Sequence, residues 1–171
     1  EGEPLDRFLR RSGALKWQNA LHIAHQVAQA LECAHRADVV HCDVKPSNIL
    51  LDQRGRVRLM DFGIAKVQHR KGRRPTPTEF LATPQYMSPE QCGAGGEIGL
   101  ATDLFSLGVM LYQMIGGRMP FEGESTVALV TAITTATPSR LNQFVLDVPD
   151  DVARLVAHLM EKDMRHRPHS A

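Results

Sequence analysis

The chain has 171 residues, 43% of them hydrophobic and 23% charged, and a formal net charge of +1. That balance is ordinary for a globular domain and gives no argument for a nucleic-acid partner. No run approaches the roughly 18 apolar residues a membrane span needs, and no signal peptide opens the chain.

In chain order, the first strong periodicity lies at 16–36. Leu21, Ala24, Val27, Ala28, Leu31 and Ala34 recur at steps of three and four, which predicts one apolar face of a long helix. After the pair Val39-Val40, two short strands are predicted at 49–51 and 57–60. Asp52-Gln53-Arg54-Gly55 lies between them as a hairpin turn. Residues 66–80 gather Lys66, Arg70, Lys71, Arg73 and Arg74 before Pro75-Thr76-Pro77-Thr78, a pattern that reads as a loop. Residues 103–115 are apolar almost all round, as a central buried helix is, and Gly116-Gly117 stops it. Further helices are predicted at 124–135 and at 150–162, the second with Val152, Leu155, Val156 and Leu159 on one face. The expected product is a mainly α fold, a helical body carrying one small β-hairpin.

Cys33, Cys42 and Cys92 form no C-x-x-C motif, so reduced thiols in a cytoplasmic protein are expected rather than a disulfide scaffold or a zinc site. His22 and His25 share a helix face, but no third ligand follows them.

The residues richest in chemistry are His41-Cys42-Asp43-Val44-Lys45-Pro46-Ser47-Asn48, between the long helix and the first strand. Asp61-Phe62-Gly63 follows the second strand directly. Phosphoryl transfer from ATP asks the protein for a carboxylate to orient the attacking hydroxyl and for oxygen ligands to hold magnesium against the phosphates. An Asp and an Asn in one loop, with a second Asp at the end of a hairpin, can supply all three. Magnesium takes only one or two such oxygens from protein.

In these motifs the sequence resembles the eukaryotic-type protein serine/threonine kinases, bacterial members above all. The resemblance covers residues 1–171 and implies the C-terminal lobe of such a kinase. It makes Asp43 the catalytic base, Asn48 and Asp61 the ligands of Mg2+ or Mn2+, and Lys45 a contact to the transferred phosphate of ATP. Thr83 would bridge Asp43 and Lys45. His41, Phe62 and Gly63 would support the site. Glu90, in Ser88-Pro89-Glu90, would pair with Arg167, and Asp103 would anchor the catalytic-loop backbone. Thr76 and Thr78 are candidate phosphorylation sites, by autophosphorylation or otherwise, and protein substrates are the implied partners.

Two departures qualify the resemblance. Upstream of residue 15 there is no glycine-rich loop and no phosphate-binding lysine, and the last helix stops short at Ala171. A fragment without the small lobe, with little activity of its own, is therefore expected. Cys42 stands where the family usually has an arginine that pairs with a phosphorylated loop residue, and a thiol cannot make that contact. A non-catalytic scaffold of the same fold and a small-molecule phosphotransferase are the alternatives. Asp43, Lys45, Asn48, Asp61 and Thr83 standing together argue against the first, and Asp61-Phe62-Gly63 followed by Ser88-Pro89-Glu90 argues against the second.

Overall fold

A computed structural model of the chain describes residues 2–62 and 84–171. Strand β1 (Gly2–Pro4) runs into helix α1 (Leu5–Ser12), followed by α2 (Trp17–His35), the hairpin strands β2 (Ile49–Asp52) and β3 (Val57–Leu59), and helices α3 (Leu100–Gly116), α4 (Thr126–Thr135) and α5 (Asp150–Leu159). The strands form one antiparallel sheet in the order β1-β2-β3, with Glu3 opposite Leu51 and Leu50 opposite Arg58. The fold is mainly α, as the sequence predicts.

Helix α3 is the axis of the body. Thirteen of its 17 residues are buried, which explains why its apolar residues do not keep to one stripe. It packs between α2 and α5. At Gly108 a methyl group would come within 2.7 Å of the Leu159 side chain, so only glycine lets α5 approach this closely. Val27 and Leu31 of α2 and Phe105, Val109, Met110 and Met114 of α3 are fully buried together with Val44 and Ile49, which flank the chemistry-bearing loop.

One side chain sets the hairpin on the body. From α2, Gln26 donates to the Gly55 carbonyl at 2.9 Å and accepts the Val57 N–H at 3.0 Å. Inside the turn, Asp52 Oδ1 accepts from the N–H groups of Arg54 and Arg56 at 2.8 and 2.9 Å, and Gly55 takes a φ of 75°.

The structure differs from expectation at three places. Residues 2–12 form a strand and a helix that periodicity did not announce, and Leu5 is fully buried. Helix α3 begins three residues early, at Leu100, because Thr102 Oγ1 accepts the Gly99 N–H at its N-terminus. Helix α5 ends at Leu159 rather than 162, and Leu155 is 42% exposed. Its buried stripe is Val152, Ala153, Val156 and Leu159, which leaves Leu155 about 100° round the helix from Val156.

Candidate active site

Residues 41–48 leave α2 and reach β2 through a turn at Pro46–Asn48. Asp103, fully buried on α3, holds the start of this loop. Its carboxylate accepts from the N–H of His41, the N–H of Cys42 and the ring Nε2 of His35, each at 2.8 Å. The buried acid therefore has three donors around it, which offsets the cost of keeping a charge from water. The hold is needed because Cys42 has a φ of 63°, in the left-handed region that costs a residue with a β-carbon about 1–2 kcal/mol.

His41 links the loop to the hairpin. Its Nε2–H donates to the Met60 carbonyl at 2.7 Å, and its Nδ1 accepts the Asp43 N–H at 3.2 Å. The ring meets Phe62 edge-on at 4.8 Å. Both ring nitrogens are thus spent on backbone. The Met60 N–H donates in turn to the Asn48 carbonyl at 2.8 Å, so the peptide groups on either side of Met60 are tied to the loop just before Asp61. Asp61 is exposed and also left-handed, at a φ of 61°.

Among the described residues the carboxylate of Asp43 is used on one side only. Oδ2 accepts from Lys45 Nζ at 2.7 Å and from Asn48 Nδ2 at 2.9 Å, and Asn48 Nδ2 also donates to the Asp43 carbonyl at 2.8 Å. Oδ1 makes no hydrogen bond among the described residues. The same pattern orients Asn48. Its amide nitrogen is doubly engaged and the residue is 7% exposed, so its amide oxygen is a buried acceptor with no partner among the described residues. Such an oxygen suits a hard cation. No three His, Cys, Asp or Glu side chains cluster as a metal site among the described residues. Beside Lys45 opens a cleft of about 480 Å³, lined by Asp6 and Arg10 of α1 and by Ser47, Tyr86 and Gln113.

Below the loop, Arg167 and Glu90 form a buried two-bond pair, Nη1 to Oε1 at 2.7 Å and Nη2 to Oε2 at 2.9 Å. Arg167 also donates to the carbonyls of Ala101, Glu161 and Lys162, so all five of its N–H groups are satisfied. Burial pulls the Glu90 carboxyl up, but the hydrogen bonds and charge of Arg167 outweigh it and hold the group below its ordinary value. Thr102 adds a hydrogen bond to Glu90 at 2.8 Å. The Tyr86 carbonyl accepts from Ser106 and its hydroxyl donates to Gln113, both at 2.7 Å, which seats residues 84–90 on α3.

The structure thus brings His41, Asp43, Lys45, Asn48 and Phe62 together, pairs Glu90 with Arg167, and places Asp103 under the loop. Gly63, Thr76, Thr78 and Thr83 lie outside the described residues. His35 and Gln91 also hold the loop. Sequence reasoning passed over both, since a histidine ending a helix and a glutamine in a polar turn break no pattern.

Comparison with known proteins decides the family. The profile described as "Protein kinase domain" matches residues 1–171. The chain belongs to that family. A probable serine/threonine-protein kinase of Clostridium perfringens is 39% identical over all of this chain and 25% of its own length. Serine/threonine-protein kinase PrkC of Bacillus subtilis is 33% identical, over all of the chain and 26% of that protein. For PknA of Mycobacterium tuberculosis the identity is 37%, over 97% of the chain and 38% of that protein. The chain therefore spans between a quarter and two fifths of these kinases. Among solved structures, Rad53 1-466 in complex with AMP-PNP superposes on 98% of the chain and 41% of its own, with a TM-score of 0.80 at 24% identity, a likeness of fold. No helix among the described residues is long and apolar enough to cross a membrane.

In this kinase fold Cys42 is not a reactive thiol. Burial first, then the charges of Asp103 and Asp43, push it up to about 12. At about pH 8 only roughly one Cys42 in ten thousand is thiolate. Timed alkylation with iodoacetamide, followed by peptide mass mapping, is expected to label the exposed Cys33 first and Cys42 only on unfolding. Labelling of Cys42 as fast as Cys33 in the folded protein would contradict the buried geometry.

Proposed function

We propose that the chain is the C-terminal, catalytic-loop lobe of a protein serine/threonine kinase that transfers the γ-phosphoryl group of ATP to protein hydroxyls. The observation that carries this reading is the Asp43 carboxylate, with Oδ2 fixed by Lys45 and Asn48 and Oδ1 without a partner among the described residues, where it can accept a substrate hydroxyl proton. Lys45, at 2.7 Å from Asp43, brings positive charge to the point where an attacking oxygen and a phosphoryl group would meet. The cleft beside Lys45, with Asp6, Arg10, Ser47, Tyr86 and Gln113 in its wall, offers a trough for the peptide that carries the hydroxyl. Magnesium or manganese, when bound with ATP, would supply positive charge against the phosphates. The Asn48 amide oxygen, without a partner among the described residues, and the exposed Asp61 are the groups suited to hold it. Substrate proteins, the protein itself included, are the proposed partners, and the cytoplasm the proposed setting.

The test uses the full-length protein that contains these residues. Labelled γ-phosphate from ATP should appear on a serine/threonine-rich acceptor such as casein, as phosphoserine and phosphothreonine without phosphotyrosine. A folded, ATP-binding protein that transfers nothing would favour the scaffold reading instead.

Cys42 bears on regulation. With its thiol pushed up to about 12 it is uncharged near neutrality and offers no cation to a phosphorylated loop residue. Replacing Thr76 and Thr78 together with alanine is therefore expected to leave most of the transfer rate intact. A large loss in the same assay would tie activity to phosphorylation of that loop after all.

A further inference from the structure

The peptide unit between Cys42 and Asp43 is gripped at both ends. Its N–H, that of Asp43, donates to His41 Nδ1 at 3.2 Å. Its carbonyl, that of Cys42, accepts from Gln91 Nε2 at 2.8 Å. Because a peptide unit is planar, the direction of one group fixes the other, and with them the position of the Asp43 Cα from which the carboxylate is carried. At its other end the Gln91 carboxamide accepts the Ser88 N–H at 3.0 Å and the Ser88 hydroxyl at 3.3 Å. Ser88 is fully buried and begins the Ser88-Pro89-Glu90 turn that Arg167 anchors. The two neighbours settle which way the amide faces, since a carbonyl needs its N–H and a backbone N–H needs its oxygen.

We propose that Gln91 is a positioning residue for phosphoryl transfer, whose carboxamide ties the peptide plane immediately before Asp43 to the anchored Ser88-Pro89-Glu90 turn. The left-handed backbone of Cys42 is what makes a second tie necessary. Asp103 holds that residue from the N–H side, on α3, and Gln91 holds it from the carbonyl side. The placement of the carboxylate thereby depends on whether the 84–91 segment is seated. The role needs a donor and an acceptor on one side chain. Glutamate keeps the acceptor for Ser88 but turns an oxygen toward the Cys42 carbonyl. Methionine keeps the length and loses all three bonds.

This inference rests on the kinase reading, and its test separates the two. Gln91→Glu and Gln91→Met are prepared in the full-length protein beside wild type. Three quantities are measured: steady-state phosphate transfer, the unfolding midpoint, and deuterium uptake of the peptide containing Asp43. Loss of one aligned hydrogen bond is expected to lower kcat about tenfold in both variants, with KM for ATP unchanged within about twofold. The midpoints are used so that kcat is read well below unfolding in each variant. Deuterium uptake at Asp43 should quicken in both. Wild-type kcat and wild-type uptake in Gln91→Glu would overturn the role. So would a kcat loss that vanishes well below the unfolding midpoint, because that marks a contribution to folding only. Should the wild type transfer no phosphate, the kinase reading falls. Deuterium uptake then still decides whether Gln91 fixes this peptide plane.

Discussion

Asp43→Asn in the full-length protein is expected to lower the rate of phosphate transfer about 10²–10⁴-fold, the range a positioned general base contributes. The substitution changes little else in shape. Asparagine can still present an oxygen to Asn48 Nδ2 and to Lys45 Nζ, which sit at 2.9 and 2.7 Å from the native carboxylate. What it removes is the charge that Oδ1 would offer to an incoming hydroxyl proton. ATP affinity, read with a fluorescent nucleotide, should therefore hold while kcat falls. Turnover equal to wild type would take Asp43 out of the reaction and leave Lys45 and Asn48 without the group they flank.

Arg167→Met should cost about 3–5 kcal/mol, because it strands a buried carboxylate. Glu90 is 7% exposed, and the substitution also removes five donors from Glu90 and three backbone carbonyls. Against a typical total stability of about 5–15 kcal/mol, that loss is visible in urea unfolding without ambiguity. The double variant Glu90→Leu/Arg167→Met should recover a large part of it, since it is the unpaired charge that destabilises most. The pair also sets a pH dependence. Glu90 is held below its ordinary value of 4.5 in the folded state, so its contribution is complete above that value and is lost as pH falls through the folded one. The gap between wild type and Arg167→Met should therefore be widest above Glu90's ordinary value of 4.5 and narrow as pH falls below it. A gap that stays constant as pH falls would mean the carboxylate is not what Arg167 holds.

The sequence makes the helical body legible where apolar spacing persists over several turns. Helix α2 lies within one residue of expectation at each end, and the hairpin falls where Asp52–Gly55 announces it. The N-terminal strand and helix were passed over because eight residues show little more than two turns. Leu5, Phe8 and Leu9 carry the right spacing, but Arg7, Arg10 and Arg11 dilute it. Leu155 was assigned to the core because the stripe of α5 was centred wrongly by one position. Within the site, motif residues announce themselves by type and spacing. The residues that hold them do not. Gln26 and Gln91 act through backbone groups that any residue carries, so no side-chain pattern in the partner points back to them, and His35 reaches the Asp103 carboxylate 68 positions away, too far for any local spacing to show.

The bond from Arg167 to Glu90 spans 77 positions of chain. At about 5–20 residues per second, a ribosome adds that stretch in roughly 4–15 s. For that interval a nascent chain carries the Ser88–Glu90 turn without its clasp, and a buried acid waits for its cation. The catalytic loop can form earlier, when Asp103 arrives. Birth order alone thus has the loop assembled before the turn that steadies it, and a chain stalled ahead of Arg167 would hold the chemistry in outline with its floor still loose.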